Sequence, residues 1–172
     1  AAMTIADGKN VTGAVDNASA NGTTSLTLSG SSTVSGAVGA SNAISEVKLI
    51  NKANASSTFS STFAAKAITL GANAGDVTFA GTAAITNKVN FTAANQTLTF
   101  KGNTALTGGA DFGTYASTMV LDSTSGNLAV TGSTITGTNK GTISVTGGNT
   151  VAFSQALGTD TSSRVGAVNI AN

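Results

Sequence analysis

The chain has 172 residues and a formal net charge of +1, and charged residues make up 9% of it. This length is enough for one domain with a continuous core. The sequence contains no Cys and no His, which excludes disulfides, thiolate metal sites and imidazole chemistry. No apolar run approaches the roughly 20 residues of a membrane helix. Abundant Gly, Ala, Ser, Thr and Asn among regularly spaced apolar residues favour short strands joined by tight corners.

Pairs of apolar residues separated by one polar residue recur along the chain at nearly constant spacing, except for one longer step from Val47 to Val77. The period is typical of β-solenoids and leucine-rich repeats, but the L-x-x-L-x-L-x-x-N consensus of the latter is missing. No window shows the i, i+3, i+4, i+7 spacing of helical repeats. The first members of the pairs are, in chain order, Met3, Leu26, Val47, Val77, Leu98, Met119, Ile143 and Val168.

Each pair predicts a strand with two apolar side chains facing inward and a hydroxyl or amide facing outward. A glycine follows the first strand residue at a fixed distance in several repeats, and a second breaker marks another corner. We expect the first set to supply either a positive φ or a close backbone approach. The sequence therefore predicts an all-β fold, a parallel β-solenoid of about seven to eight rungs, each of roughly 21–25 residues. The first set is Gly30, Gly81, Gly102 and Gly147, and the second is Gly13, Gly36, Asn87 and Gly108.

The predicted repeat treats residues 1–172 as a single solenoid domain, with one irregular step between Val47 and Val77. Residues 51–65 are either an extruded loop or part of a regular rung. Ile68 and Leu70 continue the pitch of the earlier rungs from Val47 and Leu49, which leaves both alternatives open.

Two buried columns follow from the alignment of these pairs. We expect Leu26, Val77 and Leu98 to lie in one column. We expect Val34, Ile85 and Leu106 to lie in a second.

Few residues are placed for chemistry in this repeat. Glu46 and Asp76 both directly precede an apolar pair, so they are the one carboxylate pair that could act together, with Lys48 nearby. Solvated strand ends explain them as well, and the sequence predicts no catalytic, cofactor-binding or metal-binding residue. The eight Lys and Arg residues are scattered along the chain, which argues against a nucleic-acid partner.

Three phrases carry a resemblance to a known family: S-L-T-L-S-G-S-S-T-V-S-G-A-V-G-A (25–40), V-T-F-A-G-T-A-A-I-T-N-K-V-N-F (77–91) and L-T-F-K-G-N-T-A-L-T-G-G-A-D-F-G (98–113). They resemble the passenger repeats of bacterial autotransporters, most of all the large rickettsial outer-membrane surface antigens. The resemblance implies a right-handed parallel β-helix displayed on the bacterial surface. It implies either anchoring in the outer membrane through a translocator domain outside this chain, or secretion.

The leading functional prediction is a non-enzymatic extracellular protein, a structural stalk or coat segment with an adhesin-type role and a host-cell receptor or matrix as partner. The alternatives are a self-assembling filament or surface-layer subunit, and a polysaccharide-cleaving solenoid enzyme using Glu46, Asp76 and Lys48. No cofactor and no membrane insertion of this segment are expected. Both terminal strands read like interior strands, so we expect further rungs beyond them or end-to-end pairing with neighbouring copies.

Overall fold

A computed structural model describes residues 1–19, 23–50, 54–72 and 75–171. These residues form 18 β-strands and no helix. The strands are β1 (Ala2–Ile5), β2 (Ser25–Leu28), β3 (Ser32–Val34), β4 (Ile44–Leu49), β5 (Ser56–Phe59), β6 (Phe63–Leu70), β7 (Asp76–Phe79), β8 (Ala83–Ile85), β9 (Val89–Phe91), β10 (Thr97–Phe100), β11 (Thr104–Leu106), β12 (Ala110–Asp111), β13 (Thr118–Asp122), β14 (Leu128–Gly132), β15 (Ile135–Thr136), β16 (Lys140–Thr146), β17 (Val151–Phe153) and β18 (Val165–Ile170).

The strands form because apolar and hydroxyl residues alternate over three or four positions. In β7, Val77 and Phe79 are fully buried while Thr78 between them is partly exposed. A period of two is the signature of a strand with one face on the core. The predicted all-β class is confirmed.

One sheet has seven strands, and every pair in it is parallel. Its order is β18-β16-β13-β10-β7-β5-β3. Because most of its outward positions in β3 to β16 are Thr or Ser, we call it the threonine face.

The other sheet has eleven strands and contains two faces of the coil, because β6 pairs with β8 through residues 63–65 and with β9 through residues 68–70. The alanine face consists of β8, β11, β14, β17 and residues 63–65 of β6. The charged face consists of β1, β2, the second halves of β4 and β6, β9, β12 and β15. All of these pairs are parallel as well.

The three faces follow one another along the chain and repeat as the turns of a β-solenoid. The turns differ slightly in length. A short turn separates the register partners Ser56 and Asp76, and a longer one separates Thr104 and Val130. The number of turns follows from one column of residues on the charged face. It has eight members, one for each turn, and each pairs with the next. It runs through Met3, Leu26, Val47, Ile68, Val89, Ala110, Ile135 and Leu157. The prediction of about seven to eight rungs is confirmed.

One continuous apolar core fills the coil, and its middle is aromatic. The rings of Phe59 and Phe79 stack at 5.0 Å between centroids, and those of Phe79 and Phe100 at 5.2 Å. Phe63 meets Phe79 edge-on at 4.6 Å. All four side chains are at most 2% exposed, so the solenoid is packed through its centre.

The predicted columns were partly wrong. Leu26, Val77 and Leu98 are all fully buried, but Leu26 lies on the charged face, whereas Val77 and Leu98 pair on the threonine face. Ile85 and Leu106 pair as predicted on the alanine face, while Val34 belongs to the threonine face, opposite Phe59.

The cause of this error is that all three faces carry the same apolar–polar–apolar pattern. The long step from Val47 to Val77 is a change of face within the coil rather than a longer turn. The residue that pairs with Val47 one turn on is Ile68, and the one that pairs with Val77 one turn back is Ser57.

Part of the uncertain segment 51–65 is regular coil. Residues 51–53 lie outside the described residues. Ser56–Phe59 pairs with β3 and β7, and residues 63–65 pair with β8. Residues 56–59 and 63–65 are therefore part of regular rungs and do not form an extruded loop.

The corner glycines allow close backbone contact more often than a positive φ. Of the first predicted set, only Gly147 has a positive φ, at 91°. A Cβ on Gly81 would lie 2.4 Å from the carbonyl oxygen of Ser61, and one on Gly102 would lie 2.5 Å from that of Gly81. Gly81 and Gly102 therefore meet the close-approach alternative of the prediction, and Gly147 has the positive φ.

We expect Gly102→Val to destabilise the coil by about 1–3 kcal/mol, because the new side chain must push the turn at Gly81 away. Gly148→Val is the control, since no atom of the described residues, apart from its two chain neighbours, lies within 4 Å of a Cβ there. Urea unfolding of both variants measures the difference. Equal midpoints for the two variants would contradict the packed corner.

Candidate interaction surfaces

The predicted carboxylate pair does not form. Glu46 lies in β4 on the charged face, and Asp76 lies in β7 on the threonine face. Glu46 instead contacts Lys48 on its own strand at 3.4 Å and accepts a hydrogen bond from the Thr69 hydroxyl at 3.1 Å. The arrangement that a polysaccharide-cleaving site would need from Glu46 and Asp76 is therefore absent from this structure.

A small polar cluster on the charged face is centred on Asp111. Its carboxylate accepts hydrogen bonds from the Lys88 ammonium at 3.1 Å, the Gly113 N–H at 2.9 Å and the Thr136 hydroxyl at 3.1 Å. Partial burial raises the pKa of Asp111, but these donors outweigh it and leave the pKa below its usual value. Lys88 and Asp111 are both partly solvated, so the ion pair adds at most about 1 kcal/mol.

Asp16, in the first turn, holds a corner of the second turn. Its carboxylate accepts N–H bonds from Asn42 and Ser41 at 2.9 Å each, and from the adjacent Asn17 at 2.9 Å. The Asn42 N–H, followed by bonds from Ser41, lowers the pKa of Asp16. Asp16 thus takes the place of backbone carbonyls that a regular strand would supply there.

Because the folded pKa of Asp16 is below its unfolded value, its contribution to stability is present above the unfolded pKa and is lost as the pH falls. We expect the urea concentration at the midpoint of unfolding to decrease as the pH is lowered from about 5 to about 2. Asp16→Asn should flatten that fall. Thr12→Asn, at an exposed position of the same turn, is the control and should leave the slope unchanged. Equal flattening in both variants would contradict the role of Asp16.

The turn at residues 158–164 is closed by a second aspartate. The Asp160 carboxylate accepts bonds from the Ser162 hydroxyl at 2.7 Å, the Ser162 N–H at 2.8 Å and the Ser163 N–H at 2.9 Å. The Ser162 hydroxyl, then the two N–H groups, lower the pKa of Asp160 to about 2. These bonds account for Asp160 as a turn residue.

The outward side of the threonine face carries two columns of side chains from β3, β5, β7, β10, β13 and β16. Nine of the eleven are Thr or Ser, and the described structure gives none of their hydroxyls a hydrogen-bond partner. One column is Ser56, Asp76, Thr97, Thr118 and Thr142, and the other is Thr33, Thr58, Thr78, Thr99, Val120 and Ser144.

The alanine face carries shorter side chains on its outward side. Ala64, Ala84 and Ala105 succeed one another in register. A shallow hollow of about 290 Å³ lies over Ala84 and Ala105, with Thr82 and Asn103 at its margin. The three faces of the coil therefore differ in their outer surfaces. Hydroxyls dominate the threonine face and methyl groups the alanine face, whereas on the charged face Glu46, Lys48 and Asp111 stand among Thr and Ser side chains.

The C-terminal end of the coil leaves apolar side chains uncovered. An open cavity of about 320 Å³ is lined by Leu121, Val145, Phe153 and Leu157, among others. Ile170 on the last strand is 76% exposed. Inward-facing residues of earlier turns are covered by the turn that follows, so this end has the surface on which another turn would pack.

The N-terminal turn is better covered, although its Met3 is 37% exposed. Ile5 is only 3% exposed and Val15 only 8%. Asp7 and Asn10 accept N–H bonds from Ser31 and Thr33 on the second turn, at 3.0 and 2.9 Å. Side-chain oxygens thus replace missing backbone partners at the first turn, as Asp16 does. The two ends of the coil differ in how well the core is enclosed.

Other kinds of site are not seen in the part of the chain that the structure describes. No cluster of three or more acidic residues is placed to hold a metal ion. None of the described residues forms a helix long and apolar enough to cross a membrane. Comparison of the chain with protein-family models, with curated proteins and with solved structures finds no match.

The surfaces are therefore the functional candidates. An extended coil with partly exposed outward side chains along its faces can contact a partner over many turns, and its open end can accept another strand. The corner roles of Asp16 and Asp160 were not predicted. Their signal in the sequence is an Asp followed within two residues by Asn or Ser at a turn, which is common in turns of every kind.

Proposed function

We propose that this chain is a structural segment of a bacterial autotransporter passenger, displayed outside the cell as a stalk or coat with an adhesin-type role. The observation that carries the proposal is the solenoid of eight turns around one apolar core. Such a coil lengthens by adding turns, and each turn is stabilised mainly by its neighbours. This is the property that a spacer between a cell and its surroundings needs.

The outer surface supports an extracellular setting. It is dominated by Thr, Ser, Ala and Asn, and the chain has only eight basic and seven acidic residues. The described ion pairs, Glu46–Lys48, Lys88–Asp111 and Lys101–Asp122, lie at the surface. A surface with few charges and many small polar groups leaves broad areas for weak contacts with a host-cell receptor or matrix. The right-handed coil of the resembled family is part of this proposal.

A display experiment tests the proposal. The chain is fused to the translocator domain of an autotransporter whose own passenger has been removed, and is produced in a Gram-negative host. We expect protease added to intact cells to remove the chain, and we expect the displaying cells to adhere to host-cell layers or matrix-coated surfaces. The same translocator without a passenger is the control.

The outcomes separate the parts of the proposal. Retention inside the cell would overturn the passenger role. Export without adherence above the control would overturn the adhesin role and leave the stalk or coat role. Release of sugars from a panel of polysaccharides by the purified chain would favour the enzyme alternative instead.

The open C-terminal end favours a second candidate function, a filament or surface-layer subunit built from copies joined end to end. Gln155 in the last turn adds to the evidence, because it is only 8% exposed and its side-chain carbonyl oxygen has no hydrogen-bond partner among the described residues. A further turn, from the parent chain or from a second copy, would cover the cavity and bring backbone N–H donors to this end.

Sedimentation velocity over a range of concentrations tests this candidate. If copies join, the wild-type chain should sediment faster as its concentration rises, and Ile170→Lys should remain a monomer. Ile50→Lys, at another exposed apolar residue, is the control. A wild-type chain that stays monomeric throughout would exclude the filament.

A further inference from the structure

The threonine face carries a regular array of free hydroxyls. Its second column places Thr33, Thr58, Thr78 and Thr99 on four successive turns, each paired in register with the next. These side chains are partly exposed, and each is flanked on its strand by residues that point into the core. The array is continued by Thr97, Thr118 and Thr142 in the first column.

Two features make this surface suited to an ordered partner. The strands are parallel and in register, so the outward side chains of neighbouring turns repeat at the spacing of the strands. The hydroxyls have no hydrogen-bond partners within the described structure, so they are available for contacts with water or with a ligand. Asp76 is the single charged residue among the eleven positions that the two columns contain.

The spacings of the array follow from strand geometry. Neighbouring strands lie about 4.7–4.9 Å apart, and residues i and i+2 on one strand lie about 6.6 Å apart. Oxygen atoms on the prism plane of hexagonal ice repeat along two directions, and these two repeat distances are similar to the two strand distances. A Thr side chain offers both a hydroxyl that can take a lattice position of water and a methyl group that excludes liquid water.

From this match we propose that the threonine face binds ice. The hydroxyls of β5, β7, β10 and β13 hold an ordered layer of water in positions that merge with the growing crystal. No single contact is strong, so affinity comes from many weak contacts made at once, which requires the long regular coil.

The chemistry of the face favours ice over a crystalline polysaccharide. Sugar rings are commonly held by stacking on aromatic side chains, and none of the eleven outward residues in the two columns is aromatic. The proposal rests on the array alone and does not depend on export or adhesion.

Thermal hysteresis, the gap between the melting and freezing points of a seeded crystal, is the measurement. We expect the purified wild-type chain to produce hysteresis and to shape the crystal. Thr78→Lys places a long charged side chain in the middle of the array and should abolish most of the hysteresis. Thr82→Lys, a little later on the same turn but exposed just before β8 at the margin of the alanine face, is the matched control and should retain it.

Circular dichroism and the melting temperature of each variant show whether the coil is intact. Thr78→Val keeps the methyl group and removes the hydroxyl, so partial retention of hysteresis is expected. No hysteresis or crystal shaping by the wild-type chain would overturn the proposal. So would equal loss in folded Thr78→Lys and Thr82→Lys, or binding of the chain to crystalline cellulose or chitin that Thr78→Lys abolishes while hysteresis is absent.

Discussion

Replacing Ile85 by aspartate is expected to lower the free energy of unfolding by several kcal/mol, on the order of 3 to 5. Ile85 is fully buried, and its register neighbours Ala65 and Leu106 are fully buried as well. None of these side chains offers the carboxylate a hydrogen bond. Urea unfolding followed by circular dichroism measures the loss.

Ala84→Asp is the matched control for this substitution. Ala84 precedes Ile85 on the same strand and faces outward, partly exposed, on the alanine face. We expect a change within about 0.5 kcal/mol, because the carboxylate stays in water. Retention of the full melting temperature in Ile85→Asp would mean that the inward and outward faces of β8 have been exchanged.

Removing the central ring of the aromatic stack is the second large effect. Phe79→Ala should cost about 3–5 kcal/mol, because a cavity opens between Phe59 and Phe100. The edge-on contact with Phe63 is lost as well. Denaturant unfolding and the melting temperature both report the change.

Phe153→Ala makes the same chemical change in the last complete turn, where the side chain is half-buried. Its cost should be clearly smaller, since the site already faces the open cavity. A larger loss in Phe153→Ala than in Phe79→Ala would show that the C-terminal end is closed and the centre of the coil is not the best-packed region.

The regular part of the fold could be predicted because its local pattern is strong. From Val77 to Phe112, strands and corners repeat at one constant interval, and the predicted neighbours Val77–Leu98 and Ile85–Leu106 are observed pairs. The outward hydroxyls also follow directly from the period of two. In this stretch each turn has the same length, so sequence alignment and spatial register agree.

The register of the first turns could not be obtained in the same way. The three faces share one pattern, so a displacement by a third of a turn produces an equally good alignment. The distinguishing signal is Ser57, Thr58 and Phe59, which align with Val77, Thr78 and Phe79 once a buried Ser is accepted in an apolar column. Ser57 is buried with its hydroxyl bonded to the carbonyl of Gly30 at 2.9 Å, a partner that only the folded coil provides.

The candidate surfaces, too, could be predicted from the sequence only in part. The hydroxyl array was predictable as an exterior feature, whereas the division into three chemically different faces depends on the corrected register. The corner formed by Asp16 joins it to Ser41 and Asn42 on the following turn, and only the stacking of turns brings them together. Glu46 and Asp76 were predicted to be neighbours for the same reason that the columns were partly wrong, because Val47 and Val77 were aligned although they lie on different faces.

Disulfide cross-linking in this Cys-free chain tests the three-faced coil most directly. Thr58 and Thr78 are register partners on adjacent parallel strands, where Cα atoms lie about 4.8 Å apart, within the range for a disulfide. Lys48 lies on the charged face, opposite Thr27 and Thr69. The coil predicts that mild oxidation links monomeric T58C/T78C and leaves K48C/T78C reduced. Efficient linkage of K48C/T78C with none in T58C/T78C would contradict it.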